Sequence, residues 1–359
     1  MRARLSVHDM LAPTMAALHP VEPEAIPLGA AAGLVLARPV PAPHALPTRS
    51  VALRAGLAVR AADLVGATVH TPVILTELPG SVRPGDVLPD GCDAVLPSEG
   101  LDDSGPFHAI SIGVAPGESV RLAGHDVEAG AVLADAGTRI TSNLSLALAL
   151  AGIKAVAVRR PRIAMPDLAN PDLANPDLAD PDLAMPEQDW LARFLRARGC
   201  HLENASALGS VDLGLAWSEG AERGLALNPG ETAHIDAGAS GTPILWLPRR
   251  FDAMVAATIA LILPLLDRLS ARETAMVSRP LARKIVSVVG MSEVVLLKAV
   301  PEGYLPLGTG EITLTALAEA GFVALVPPEC EGFREGTMLA AIPLSCPCPL
   351  PDDINEAAP

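Results

Sequence analysis

Aromatic side chains are scarce: three Trp, one Tyr and five Phe, 3% of 359 residues. Any core must therefore be filled largely by Ala, Val and Leu. Basic charge is short as well, with 26 Lys and Arg against 41 Asp and Glu and a net charge of -15. That argues against nucleic acid as a partner, because phosphate backbones demand clustered Lys and Arg. It leaves room for a small anion in a local pocket. Cysteines are few and irregular: Cys92, Cys200, Cys330, Cys346 and Cys348. An odd set at such spacings fits neither a disulfide framework nor a paired zinc motif. Cys346 and Cys348 lie in a Pro-rich acidic tail and read as loose thiols.

Long hydrophobic runs are missing too. The opening MRARLSVHDM lacks the continuous apolar stretch of a signal peptide. The longest apolar run, Met254 to Leu266, has 13 residues, too few for a bilayer. Asp252 before it and Asp267-Arg268 after it suit a buried helix. The expectation is a soluble, cytoplasmic protein with no membrane partner.

What is present is a globular composition, 50% hydrophobic and 19% charged, long enough for two to four compact units. Ser6 with Asp9 three residues on reads as a helix N-cap, with Pro13 inside or ending that helix. Short apolar runs punctuated by Gly and Pro give a β texture from about 50 to 140. Thr141-Ser142 can cap a second helix that stops at Gly152. KAVAVRRPRIAM is a strand pair, or one strand kinked at Pro161. Asp189 can cap WLARFLRARG. FDAMVAATIALILPLLDRLSA is apolar nearly all round, as a core helix is. From Ser278 onward Val- and Leu-rich runs predict an all-β unit. Between Pro166 and Pro186 the unit PDLA-x is repeated four times. A Pro every fifth residue forbids an α-helix and removes ladder donors, so an extended, exposed linker is expected there.

Several segments, taken in order, resemble the molybdopterin molybdenumtransferase family, that is, bacterial MoeA and the E domain of gephyrin. VEPEAIPLGAAAGLVLARPVPAPHALP is similar to the family's opening. AGLAVRAADL at 55–64 resembles its first signature loop, and LPDGCDAVLPSEGL at 88–101 its Pro-x-Gly-x-Asp-Ala-Val strand. VRLAGHDVEAGAVLADAGTRIT at 120–141 is the nearest match. LNPGETA at 227–233, WLPRRFDA at 246–253, PLARKIVSVVGMSEVVLL and YLPLGTGEITLTALAEAGFVALVPPECEG follow in the family's order.

The resemblance implies a mixed α/β and β fold in an elongated multi-domain subunit. Its parts would be a discontinuous N-terminal helical domain (1–40 plus 140–162), a β-rich domain (41–139), a shortened α/β molybdopterin-binding domain (163–276), a C-terminal β-barrel-like domain (277–345) and a tail (346–359). It implies a role in molybdenum cofactor biosynthesis: molybdate displaces adenylate from adenylylated molybdopterin, assisted by Mg²⁺. Both reactants are anions, so such a site needs carboxylates for the metal, Gly-rich backbone for phosphate and Lys for charge. A homodimer and a molybdoenzyme or cofactor-biosynthesis partner are implied as well.

Carried over residue by residue, the site is depleted. Gly56 is retained, but Ala55 stands where the family has an Asp. Asp126 matches the second carboxylate, as catalytic and metal-binding candidate; by itself it also reads as a turn aspartate. Asn228-Pro229-Gly230-Glu231 lies where the family carries Lys-Pro-Gly-Lys, which keeps Pro229 and Gly230 and loses both lysines. Leu247-Pro248-Arg249 replaces Leu-Pro-Gly, with Pro248 kept. Arg249 and Arg250 could grip phosphate or pterin at a helix start, or form a solvated helix entrance. The repeat stands where a Thr-Gly-Asp-Glu loop is expected. Two functions remain open: a divergent molybdate-inserting enzyme, and a non-catalytic paralogue that binds molybdopterin or a molybdoenzyme as an assembly factor.

Overall fold

The computed structural model describes residues 4–105, 107–165, 186–204, 210–218, 224–238, 241–272 and 274–344. The body of the 166–186 repeat lies outside the described residues, as do the tail thiols Cys346 and Cys348. The chain divides into two compact units. One comprises 1–38, 136–145 and 155–359; the other comprises 39–135 and 146–154.

In the larger unit the first helix, α1 (Val7–Ala17), starts where Ser6 Oγ accepts from the Asp9 amide at 3.0 Å. Pro13 sits inside it without ending it. Val7 and Leu18 join the apolar core of the α/β part. Strand β1 (Glu24–Pro27) pairs antiparallel with β2 (Ala155–Val158). The RRP sequence then breaks the chain, and β3 (Arg162–Ala164) belongs to a different sheet. A proline that cannot donate and restricts its neighbour ends one ladder before the next begins.

The α/β sheet is built from β3, β4 (His201–Glu203), β5 (Leu213–Trp217), β7 (His234–Ala237) and β8 (Pro243–Leu247), in the spatial order β4-β3-β5-β8-β7. Strands β3, β4, β5 and β8 are parallel, and β7 closes the edge antiparallel to β8. Helix α2 (Pro186–Ala197) connects β3 to β4. It begins at Pro186, three residues ahead of the expected cap, since proline suits a first helical position. Asp189 instead pairs with Arg193 one turn on, at 3.1 Å. Gly199, at φ 86°, lets the chain leave the helix as expected.

Helix α3 (Phe251–Ser270) is long and apolar enough to cross a membrane, yet 78% of that window is buried inside the protein. It contains a π-helical segment, Thr258–Ile262. There the buried Thr258 hydroxyl donates back to the Met254 carbonyl at 2.8 Å, a bond that competes with the regular ladder.

The C-terminal part is a sheet containing β9 (Val277–Pro280), β10 (Ser292–Val300), β11 (Gly303–Thr309), β12 (Phe322–Val326) and β13 (Met338–Pro343), joined by β6 (Leu227–Asn228) from the α/β stretch. Its path is β6-β10-β12-β13-β9, with β11 on β10. Val294 and Leu296 face the core shared with α3, while Val295 and Leu297 face a second core around Tyr304 and Val326. Burial on both faces explains a continuous apolar run where one-sided burial would require alternation. The part is not all-β: α4 (Leu314–Glu319), capped by the Thr313 hydroxyl, interrupts it.

The smaller unit holds two three-stranded antiparallel sheets. Gly56–Val59 lies between Ser81–Val82 and Ala94–Leu96, and His108–Ile110 lies between Val73–Leu75 and Leu101–Asp102. Leu57 and Val59 point into one core and Ala58 into another. The helix Ser142–Leu150 carries the chain from one unit to the other. Its first turn is capped by Thr141, whose hydroxyl accepts from the Leu144 amide at 3.2 Å, and Gly152 at φ 79° follows its end.

Candidate functional site

In the α/β sheet the strand order reverses beside β3, whose chain successors β4 and β5 lie on opposite sides of it. In open α/β sheets ligands bind outside the carboxyl ends of the strands near such a reversal. The carboxyl ends of β5 and β8 carry Trp217-Ser218 and Leu247-Pro248-Arg249-Arg250. The Ser218 amide donates to the Leu247 carbonyl at 2.7 Å, and its hydroxyl to the Thr232 carbonyl at 3.2 Å. These two bonds tie the two strand ends to each other and to Thr232, which follows the Asn228–Glu231 turn.

The turn is shaped by Gly230, at φ 127°, where a Cβ would lie 2.8 Å from the Leu227 side chain and 3.6 Å from the Ala253 carbonyl. Gly230 is thus required by backbone conformation and by its approach to the first turn of α3. Pro229 beside it is buried. The Glu231 carboxylate accepts from the Gly230 amide at 3.2 Å, and its carbonyl from the Leu225 amide at 3.0 Å. Pro229, Gly230, Pro248, Arg249 and Arg250 are therefore brought together at the entrance to α3.

The electrostatics there are balanced. Arg250 precedes α3 and donates through Nε to Asp252 Oδ1 at 2.6 Å; the same oxygen accepts from the Ala253 amide at 2.8 Å. Hydrogen bonding and attraction from Asp252, with a further contribution from Glu231, push the Arg250 pKa above its ordinary value. The Arg249 guanidinium lies 5.9 Å from the centroid of the Trp217 ring, at the outer limit of a cation–π contact. Trp217 is buried and its indole N–H has no partner. Arg250 thus faces two carboxylates, Asp252 in direct contact and Glu231 at longer range, while Arg249 lies against the Trp217 ring.

Asp126 and Gly56 belong to the smaller unit. Asp126 Oδ1 accepts from Arg121 Nε at 2.6 Å, and its amide donates to the Leu46 carbonyl at 2.8 Å. Gly56 sits buried in the centre of its sheet. A Cβ there would lie 2.3 Å from the Leu96 carbonyl oxygen and 2.8 Å from the Val95 side chain. Its role in the fold is to allow close strand packing. Ala55 beside it is exposed and ligates nothing. The residues present do not fit Mg²⁺. The one candidate carboxylate is engaged by a guanidinium, and among the described residues no group of three His, Cys, Asp or Glu could hold a metal ion. Magnesium gains little from a single carboxylate.

Residues 5–152 match the family model described as the MoeA N-terminal region (domain I and II). Over that N-terminal stretch the chain is similar to the MoeA family. It is 32% identical over 181 residues to "Molybdopterin molybdenumtransferase 2" of Mycobacterium tuberculosis, in both strain CDC 1551 / Oshkosh and strain ATCC 25618 / H37Rv. That match covers 45% of this chain and 44% of each relative, so the chain spans less than half the length of these curated proteins. The fold is similar to the molybdopterin biosynthesis moeA protein from Pyrococcus horikoshii OT3, with a TM-score of 0.71 at 18% identity, covering 95% of this chain and 100% of that one. A second structure of the Pyrococcus protein gives a TM-score of 0.68 at 20% identity, over 95% and 99% of the two chains. At such identities the likeness is one of fold.

Sequence reasoning missed Trp217, the platform under Arg249, and Glu293, the buried partner of Asn228. The signal for Glu293 was available: an acid at the head of the apolar run EVVLL is out of place unless it is hydrogen-bonded.

Proposed function

We propose that the protein serves molybdenum cofactor biosynthesis as a binding member of the MoeA family that has lost most of the molybdate-inserting chemistry. The observation that carries this reading is the charge balance at the entrance to α3. An anion arriving there meets Arg250 already paired with Asp252 and Arg249 against the Trp217 ring, with Glu231 adding negative charge, in place of the lysines the family's pattern supplies. A site of this kind can hold the polar edge of a pterin or one phosphate, but it has little net field to concentrate two anionic reactants. Charge-assisted contacts contribute about 1.5–3 kcal/mol each, so two lost lysines remove about one to two decades of affinity apiece. Asp126, tied to Arg121, is poorly placed to supply a metal. The ligands on this reading are molybdopterin or adenylylated molybdopterin, with a cytoplasmic homodimer as the working assembly and a molybdoenzyme or cofactor-biosynthesis protein as recipient.

The competing reading is a divergent molybdopterin molybdenumtransferase, favoured by the activity named for its 32%-identical relatives. Complementation of a strain lacking its molybdate-inserting enzyme separates the two. Growth on a molybdoenzyme-dependent substrate should not be restored at normal expression. Restored growth that Asp126→Ala abolishes and Arg249→Ala weakens would establish the enzyme instead.

A further inference from the structure

Glu293 is the one acidic side chain in β10, and it is 3% exposed. Its Oε1 accepts from Asn228 Nδ2 at 2.8 Å. Its Oε2 accepts from the Ser287 hydroxyl at 2.7 Å and the Val288 amide at 3.2 Å. None of these donors is cationic. The flanking backbone is in register, with Leu227 opposite Ser292 and Asn228 opposite Glu293 in a parallel pair. Gly310 closes the arrangement. At φ 67° it would place a Cβ 2.4 Å from Glu293 Oε1 and 2.5 Å from Asn228 Nδ2, so any side chain there would intrude on the bond between them. Residues 287–288 thus hold the Glu293 carboxylate, and Glu293 and Gly310 together enclose the Asn228 side chain of the 228–231 turn.

We infer that Glu293 is a positioning residue: through Asn228 it fixes the Pro229-Gly230-Glu231 turn against the start of α3, so that the C-terminal sheet sets the geometry of the α/β ligand site. Its importance for ligand rests on the site reading proposed above; its hold on the turn does not. A buried acid at the head of a Val- and Leu-rich strand costs free energy unless every lone pair is used. An apolar residue of similar volume would serve packing as well or better. What the acid adds is a directed acceptor for Asn228. Removing it frees a two-residue strand that is otherwise held by few bonds, and the Gly230 and Ala233 amides that hang on the turn lose their fixed partners.

The test uses the full chain and four forms: wild type, Glu293→Ala, Asn228→Ala and Glu293→Gln. Glutamine keeps an acceptor for Asn228, so it is the conservative rescue. Amide exchange read by mass spectrometry should accelerate at least about tenfold across 225–233 in Glu293→Ala and Asn228→Ala. The pairing of 322–326 with 293–297 should keep its protection, and Glu293→Gln should stay within about threefold of wild type. If Glu293→Ala does not fold, Asn228→Ala and Glu293→Gln still decide. Unchanged protection at 225–233 in Asn228→Ala, or a loss spread evenly through the C-terminal sheet, overturns the inference. Calorimetry with adenosine monophosphate as probe is the second arm. Affinity should fall about tenfold in Asn228→Ala and be kept in Glu293→Gln. A wild type that does not bind the probe counts against the ligand reading alone, and the exchange result then decides the role of Glu293.

Discussion

Cys200 offers a quantitative check on the α/β core. It lies between the end of α2 and β4, is buried, and forms no disulfide. Burial pushes its thiol up from 9.0 to about 12; Arg272, Arg198 and Arg160 pull it down and Asp212 raises it slightly. The three-unit difference means that at pH 8 the folded thiolate fraction is about a thousandfold below that of the unfolded chain. Alkylation at Cys200, followed by peptide mapping, should therefore be at least that much slower than in urea. The same shift has a stability consequence of definite sign. The folded state holds this proton more tightly, so the stabilisation is complete below pH 9 and declines as pH rises toward 12. At pH 10 the loss is about 1.4 kcal/mol. Urea unfolding of wild type and Cys200→Ala at pH 7.5 and 10 isolates it, because every other titrating group is common to both. Wild type should lose about 1.4 kcal/mol more than the variant between the two pH values. Equal losses would refute the account of a desolvated thiol.

Gly56→Ala should destabilise the smaller unit by about 1–3 kcal/mol, because the new methyl group would collide with the Leu96 carbonyl of the paired strand. Chemical unfolding followed by exchange within 39–135 measures it, and a neutral result would mean that the sheet yields freely. Asp126→Asn removes an exposed pair with Arg121 and should cost less than about 1 kcal/mol. A melting temperature lowered by many degrees would show that Asp126 organises its loop beyond that one contact.

Helix ends were the most readable feature of the sequence, because each depends on one or two local residues. Ser6 with Asp9, Thr141 before 142–150, and the glycines at 152 and 199 all act where the pattern put them. The apolar run ending in LPLLDRL is buried as expected, although its π-helical segment has no signature beyond a Thr in a buried turn. Long-range pairings were not readable. Leu227–Asn228 leaves the α/β stretch to pair with β10, a choice made by a two-residue strand whose partner lies 65 residues away. The short helix 314–319 hid inside a β texture, since six residues hold too little periodicity to outweigh the strands around them. For the candidate site, family order named the turn and the arginines. Their partners, Trp217 and Glu293, could be found only from contacts between distant segments.

Fold and chemistry depend on the sequence in different ways, which is how one can outlast the other. The core of the larger unit spreads its stabilisation over many side chains such as Leu213, Leu245, Leu261 and Val294, each contributing about 1.5–3 kcal/mol by burial. Anion chemistry is concentrated instead: a lysine on each side of a turn, a glycine before a helix, a carboxylate before Gly56. Exchanging these for Glu231, Arg249 and Ala55 places two half-buried or exposed polar residues and one exposed alanine at the surface, where stability changes little, while Asn228 takes up a bond to the buried Glu293. The turn itself is still held, by Gly230 on α3 and by Asn228 on Glu293. On the binding reading proposed above, a framework kept in place around a site without net positive charge would recognise a ligand's shape without transforming the ligand.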